Sequence, residues 1–128
     1  MKRSLLVLVI ILILVFLGII LLIIRGDEDN WIKDSRGVWI KHGNPSEIPN
    51  YVLEQQEIIN CALEKFNNFT GEINSQCLDT CKDYVVDIVH VPRTEEDNLI
   101  ENQCSDFREG KVSHFIELDK EGEIVRII

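Results

Sequence analysis

The first 26 residues contain one long apolar run with positive charges at both ends. Between Lys2-Arg3 and Arg25 lie 21 residues, SLLVLVIILILVFLGIILLII, of which only Ser4 and Gly18 are not strongly apolar. At about 1.5 Å per residue, a helix of this length is roughly 30 Å long, which matches the hydrocarbon core of a bilayer. The pattern therefore predicts a transmembrane helix over residues 4–24, embedded in the lipid bilayer.

The character of this run indicates an anchor that is retained. A cleavable signal peptide has an apolar region of about 7 to 15 residues and a small-residue cleavage site, whereas this run is longer and ends in Ile-Ile-Arg. It contains no ionisable residue of the kind that marks proton relays or ion paths. We predict that residues 1–25 are a passive signal anchor, residues 26–30 a polar spacer, and residues 31–128 a folded domain.

The pattern in the first half of that domain predicts a hairpin and a helix. Two short alternating runs, 31–33 and 38–42, surround a turn with Gly37. From Pro49 to Phe66, apolar residues recur every three to four positions, which predicts the principal helix. Residues 67–80 show no clean period, so we expect a loop or a short turn of helix there.

The second half is mainly β-strand in character. Residues 84–91, YVVDIVHV, are rich in β-branched side chains and precede Pro92, so they predict a central strand. Thr94-Glu95-Glu96-Asp97 resembles a capping box. Residues 112–119 and 123–127 predict a C-terminal hairpin. The fold class expected is α+β, with a small, mainly antiparallel sheet and one principal helix packed on one face.

Charge excludes one class of partner. Without Lys2, Arg3 and Arg25, the 13 basic residues fall to 10 against 22 acidic residues, a net charge of −12. Such a surface repels nucleic acid and offers no polybasic patch to anionic lipid. Attachment to a membrane is therefore expected to depend on the helix alone.

Four cysteines lie in the domain, at Cys61, Cys77, Cys81 and Cys104. An even number in an oxidising compartment indicates two disulfides. A bond between Cys77 and Cys81 would close the shortest loop and stabilise least, so we expect each to bond to Cys61 or to Cys104, in either order. The spacing fits no standard zinc finger and no CxxC redox pair.

The orientation in the membrane depends on more than charge. Lys2 and Arg3 favour a cytoplasmic N-terminus, but basic residues also follow the helix, at Arg25, Lys33, Arg36 and Lys41. The cysteines and the N-glycosylation pattern Asn68-Phe69-Thr70 favour a C-terminal domain outside the cytoplasm. We expect a single-pass protein with its N-terminus in the cytoplasm.

Three histidines are the candidate metal ligands. His42, His90 and His114 each share strand parity with apolar neighbours. If the strands that carry His90 and His114 pair antiparallel, both imidazoles lie at one edge of the sheet. Such a cluster would suit zinc or copper. The competing interpretation is three unrelated, hydrogen-bonded histidines at the rim of the sheet.

Signatures of catalysis are missing from the sequence. It has no phosphate loop, no dinucleotide-binding glycine pattern and no nucleophile elbow, and Asp87, the one charge within the central strand, has no identifiable second carboxylate. No cofactor and no catalytic residue are therefore predicted. We expect a membrane-anchored, extracytoplasmic binding or assembly module with a protein partner, an accessory subunit of an envelope complex. The alternative is a small membrane-tethered enzyme that depends on a metal or a thiol and uses the histidine cluster.

Overall fold

A computed structural model describes residues 2–26 and 29–128, so two residues of the predicted spacer, 27 and 28, lie outside the described residues. The helices are α1 (Lys2–Gly26), α2 (Asn50–Asn68) and α3 (Ser105–Arg108), and two short 3-10 helices span Glu95–Asn98 and Ile100–Asn102. The strands are β1 (Asn30–Lys33), β2 (Trp39–His42), β3 (Gln76–Cys81), β4 (Tyr84–Ile88), β5 (His114–Leu118) and β6 (Ile124–Ile127). The α+β class is confirmed.

The described residues fall into two compact units. The first contains α1, the start of β1 up to Ile32, and Lys41–Glu47. The second contains Lys33–Ile40 and Ile48–Ile128, and it holds α2 together with the four-stranded sheet.

In the first unit, α1 is an uninterrupted apolar helix. Its side chains from Leu5 to Ile24 are exposed, apart from the half-buried position of Gly18. Over Arg3–Ile24 it is long and apolar enough to cross a membrane, judged by length and composition. A long helix with exposed apolar side chains suits a membrane anchor.

The predicted N-terminal hairpin is present as the two-stranded sheet of β1 and β2. Its turn is organised by Asp34, whose Oδ1 accepts hydrogen bonds from the backbone N–H groups of Arg36 and Val38 at 2.9 and 3.0 Å. Gly37 has a φ of 84°, and a Cβ there would collide with the carbonyl oxygen of Ile127. The backbone N–H of Ile127 in turn donates to Arg36 O at 2.8 Å, so the turn packs on the last strand.

The principal helix, α2, agrees with the prediction. Pro49 precedes its first turn with an extended backbone, and the Pro49 carbonyl accepts from Val52 N–H at 3.0 Å. A stripe at helical spacing is buried, namely Val52, Gln55, Ile58 and Ala62. This stripe packs the helix against one face of the sheet.

The four strands of the second sheet lie in the order β3-β4-β5-β6, and the pairings β3–β4 and β5–β6 are antiparallel. The central pairing of β4 with β5 is parallel, with Tyr84 opposite His114 and Ile88 opposite Leu118. The sheet is therefore mixed. Parallel neighbours need a crossover connection, and residues 89–113 supply it.

Strand β3 is the element that the sequence pattern missed. It lies in residues 76–81, inside the segment predicted as a loop or a turn of helix. Its sequence, QCLDTC, has only one large apolar residue, so neither alternation nor an apolar run marks it. Pairing with the strongly β-forming β4 and two disulfides place it in the sheet.

The hydrophobic core lies between α2 and the sheet. Ile58 and Ala62 of the helix meet buried residues from all four strands, namely Cys81, Val86, Ile116, Leu118 and Ile127. The opposite face of the sheet is covered by the crossover segment 89–113, which is tied to β3 by the Cys77–Cys104 disulfide. The cover on this second face of the sheet was not predicted from the sequence. Polar side chains of the strands lie beneath it.

Candidate binding cleft

A row of four paired residues crosses the sheet on the face turned toward the crossover segment. Cys77 lies opposite Asp87, Asp87 opposite Glu117, and Glu117 opposite Arg126. Because side chains alternate along each strand, the neighbours of these residues point into the core while this row points away from it. Two carboxylates and one guanidinium are thereby placed side by side on adjacent strands.

Glu117 is held by two arginines. Its side chain is 6% exposed, and its Oε1 accepts from Arg93 Nη1 at 2.8 Å. Arg126 donates through Nε to Oε2 and through Nη2 to Oε1, both at 3.1 Å. The two arginine side chains are 40% and 44% exposed, so a buried carboxylate fixes two partly solvated cations. Both oxygens of Glu117 are occupied.

Asp87 is the carboxyl group in this row that no described arginine or lysine pairs with. Burial and, after it, the neighbouring charge of Glu117 raise the pKa of Asp87 to about 6, against the opposing effects of the Cys104 backbone N–H and of Arg93. Its Oδ1 lies 3.1 Å from Cys104 Sγ, but a sulfur in a disulfide has no proton to donate. Asp87 is therefore a carboxyl group that changes charge near pH 6.

These residues border a cleft between the sheet and the crossover segment, which we call the sheet-face cleft. Its volume is about 180 Å³. Phe107 of α3 packs edge-on against Phe115 of β5 with ring centroids 5.6 Å apart, and Arg126 lies over the Phe115 ring at 4.8 Å. The polar and aromatic residues that matter most to its chemistry are Asp87, Arg93, Gln103, Phe107, Glu117 and Arg126.

Asp97 fixes the start of the crossover segment beside this cleft. Its side chain is fully buried and lies 3.0 Å from both the backbone N and the ring Nδ1 of His90, while Thr94 N–H donates to it at 2.6 Å. Burial alone raises the pKa of Asp97, but the hydrogen bonds from Thr94, His90 and Ser75 outweigh burial and hold the pKa well below its ordinary value. The predicted capping box is confirmed, with an added histidine.

All four cysteines are oxidised. Cys61 of α2 bonds to Cys81, and Cys77 bonds to Cys104, so Cys77 and Cys81 bond outward as the sequence analysis favours. One disulfide ties the principal helix to the sheet, and the other ties the crossover segment to it. Cys77, Cys104 and Asp87 lie close enough to suggest a metal-ligand set, but both sulfurs are already in a bond and are not thiolates.

The structure does not bring the histidines of the second unit together. The antiparallel pairing that would bring His90 and His114 to one edge of the sheet does not occur, because β4 and β5 are parallel and Tyr84, at the far end of β4 from His90, lies opposite His114. His114 stacks on Tyr84 with centroids 4.9 Å apart, while His90 contacts Asp97. His42 belongs to the first unit and is exposed.

Asn68, the candidate glycosylation residue, is the last residue of α2. Its side chain and that of Thr70 are exposed. The triplet therefore lies at a helix end on the surface, where the sequence analysis expects a loop.

Sequence reasoning missed the partnership of Glu117 with Arg93 and Arg126. A signal was present, since Glu117 and Arg126 are charged residues within the two strands of the predicted hairpin. The partner from the crossover, Arg93, has no such signal. Comparisons with protein-family models, with curated proteins and with solved structures find no match to this chain.

Proposed function

We propose that this protein is a membrane-anchored, non-catalytic binding module whose second unit lies outside the cytoplasm and works as an accessory subunit of an envelope complex. The observation that carries the proposal is the combination of a long exposed apolar helix with two disulfides in the unit that follows it. The helix suggests an anchor, and the disulfides suggest an oxidising compartment.

The anchor is proposed to be passive. From Leu5 to Ile24 the helix has no charged or titratable side chain with which to move an ion or a proton. Gly18 is its only small residue beyond Ser4, so it also lacks the GxxxG seam for close helix pairing. Its role is to hold the following unit at the membrane, with the N-terminus on the cytoplasmic side.

Binding is favoured over catalysis by the state of the candidate groups. Every cysteine is in a disulfide, so a thiol-dependent reaction has no thiol to use. His90 and His114 lie at opposite ends of the paired strands, which removes the support for a metal-dependent enzyme built on them. Of the two adjacent carboxyl groups, Glu117 is fully engaged by arginines and leaves Asp87 without a second free carboxylate.

A protein partner remains part of the proposal. The crossover segment carries three exposed large apolar side chains, Val91 (65% exposed), Leu99 (43%) and Ile100 (66%). A contiguous exposed apolar patch marks a surface that binds another protein, and these side chains are the candidates for such a patch on the crossover segment.

Two measurements on intact cells that produce the protein test this proposal. A thiol assay on the native protein should detect no free thiol before reduction and four after it. A Glu121→Cys variant places one thiol in the exposed turn before β6. We expect a membrane-impermeant maleimide to label it without permeabilisation. Labelling only after permeabilisation, or free thiols in the native wild type, would contradict the orientation.

A further inference from the structure

We propose that the sheet-face cleft binds a neutral, polyhydroxylated ligand the size of a single sugar ring. This inference rests on the proposed function of a binding module and names the chemistry of its ligand. Four observations support it, namely the charged side chains of the cleft, its unpaired hydrogen-bonding groups, its aromatic wall and its volume.

Charge in the cleft disfavours both simple cations and simple anions. Arg93 and Arg126 oppose a cation, while the carboxylates of Glu117, Asp97 and ionised Asp87 oppose an anion. A phosphate or carboxylate placed on the arginines would meet Glu117 and the ionised form of Asp87. A metal ion finds both oxygens of Glu117 already occupied by guanidinium groups. A ligand without net charge avoids all three conflicts.

The hydrogen-bonding groups of the cleft that have no protein partner favour a ligand that both donates and accepts hydrogen bonds. Arg126 Nη1 and the side-chain amide of Gln103 make no hydrogen bond within the described part of the chain, and both residues line the cleft. Asp87 offers a carboxylate that accepts from a ligand. A hydroxyl group can donate to Asp87 and accept from Arg126 or Gln103 at the same time, and neighbouring hydroxyls on one ring can use all three residues.

The remaining wall is aromatic. Phe107 and Phe115 form an edge-to-face pair along the cleft, and their rings present an apolar surface beside the polar row. Sites for small molecules combine such apolar walls with a few fixed polar groups. A sugar ring matches this pairing, because its hydroxyl groups lie around its edge and its C–H groups lie on its faces.

Size limits the ligand to a small one. The cleft volume of about 180 Å³ lies below the roughly 300 to 1,000 Å³ of pockets for drug-sized molecules. One ring fits that volume, while longer chains would have to extend out of the cleft. The cleft residues are also held rigidly, by the Cys77–Cys104 disulfide and by the Arg93–Glu117 pair, which favours a preformed site.

The test uses the full-length protein in phosphatidylcholine nanodiscs, which avoids detergents with sugar headgroups. Saturation-transfer NMR with glucose, galactose and N-acetylglucosamine should show binding of at least one of them, with a Kd in the millimolar range typical of a small ligand. Gln103→Ala should weaken that binding about tenfold, because it removes a side chain that holds no other part of the fold. Glu121→Gln, in an exposed turn outside the cleft, should leave binding unchanged.

Several results would overturn the proposal. These are no binding of any of the three sugars up to their solubility limit, binding that Gln103→Ala does not change, and binding of inorganic phosphate or methylammonium in place of the sugars. Intact disulfides on a non-reducing gel establish that each variant is folded. If the maleimide experiment places the unit outside while the sugars fail to bind, the proposed function stands and this inference fails. If the maleimide experiment places the unit in the cytoplasm while the sugars bind, the proposed function fails and this inference stands.

Discussion

At the scale of single residues, Glu117 is the side chain on which the sheet-face cleft depends most. A carboxylate buried beneath two partly exposed arginines neutralises both and orients both. Removing the charge from one member of such a group leaves the others without their partner. The loss of folding free energy is then larger than the contribution of an exposed ion pair.

We therefore expect Glu117→Gln to lower the free energy of unfolding by about 2 kcal/mol. Removing one partner of a fully buried ion pair costs about 3 to 5 kcal/mol. The cost should be smaller here because water can solvate the two partly exposed arginines. Urea unfolding followed by tryptophan fluorescence measures the change. Glu123→Gln is the matched control, because Glu123 is exposed. Equal midpoints for the two variants would show that Glu117 does not hold the arginines in the folded protein.

Asp87 gives a prediction with a pH dependence of known sign. Its pKa is raised to about 6 in the folded protein, first by burial and then by Glu117, from the ordinary value of 3.8. The folded state therefore binds more protons than the unfolded state between about pH 4 and pH 6, so ionised Asp87 destabilises the fold above pH 6. The penalty is absent below about pH 4, where both states are protonated.

Asp87→Asn removes that penalty and keeps an acceptor of the same shape. We expect the variant to be more stable than the wild type by about 3 kcal/mol at pH 7.5, since the pKa lies about two units above its ordinary value and one unit corresponds to about 1.4 kcal/mol. The difference should disappear as the pH falls to 4. Urea midpoints of both proteins across this range provide the measurement, and a variant that is less stable than the wild type at pH 7.5 would show that Asp87 ionises without cost.

At the scale of elements, the Cys77–Cys104 disulfide ties the crossover segment, which forms one wall of the cleft, to the sheet. Cys77–Cys104 spans 27 residues of sequence and joins β3 to the crossover segment, while Cys61–Cys81 spans 20 and joins α2 to the sheet. Loops of such similar length should stabilise by nearly the same amount, about 3 kcal/mol each. What differs between the two bonds is the segment that each one holds.

Replacing Cys77 and Cys104 together by serine should therefore release the crossover segment preferentially. We expect limited proteolysis to cut within residues 89–113 at a much higher rate than in the wild type. The matched control replaces Cys61 and Cys81, costs similar stability, and should leave that segment protected. Mass spectrometry of the fragments locates the cuts, and identical cleavage maps for the two variants would contradict the assignment.

The elements also show what the sequence could predict and what it could not. Local signals predicted α2, β4 and the C-terminal hairpin, namely helical spacing for α2 and a run rich in β-branched residues for β4. The parallel pairing of β4 with β5 depends on the path of a 25-residue connection whose apolar residues are sparse. That path separates His90 from His114, places Glu117 beside Asp87 and brings in Arg93. The histidine cluster was expected and the carboxylate row was missed for one reason, which is that the parallel pairing of β4 with β5 could not be predicted from the sequence.

At the scale of the whole molecule, orientation can be read from Asn68. The acceptor residue ends α2 with an exposed side chain, so a glycosyltransferase can reach it when the second unit lies on the far side of the membrane, as proposed. Translation in the presence of endoplasmic reticulum microsomes should give one glycosylated species. Asn68→Gln and Thr70→Ala should each abolish it, and digestion with endoglycosidase should restore the original mobility.

The orientation prediction has a built-in check. In the same microsomes, added protease should spare the second unit and should degrade it once detergent opens the vesicles. Glycosylation that persists in Asn68→Gln would assign the sugar elsewhere in the chain. A second unit that is degraded without detergent would place it in the cytoplasm.

The division of the described residues into two compact units gives the last prediction. The core that buries Ile58, Ala62, Val86, Ile116 and Leu118 lies wholly within the second unit, and both disulfides close inside it. The side chains of α1 from Leu5 to Ile24 are exposed, so the helix has its hydrophobic surface available for lipid. Folding of the second unit should not require it.

A chain that begins at Asp29 should therefore be soluble and monomeric, and should form the same two disulfides when it is made in an oxidising compartment. Size-exclusion chromatography and peptide mapping under non-reducing conditions measure both properties. The full-length protein should stay with the membrane under alkaline carbonate extraction, because a helix that spans the bilayer, as proposed for α1, is held by its apolar surface and not by charge. Aggregation or scrambled disulfides in the shortened chain would mean that α1 contributes to the fold as well as to attachment.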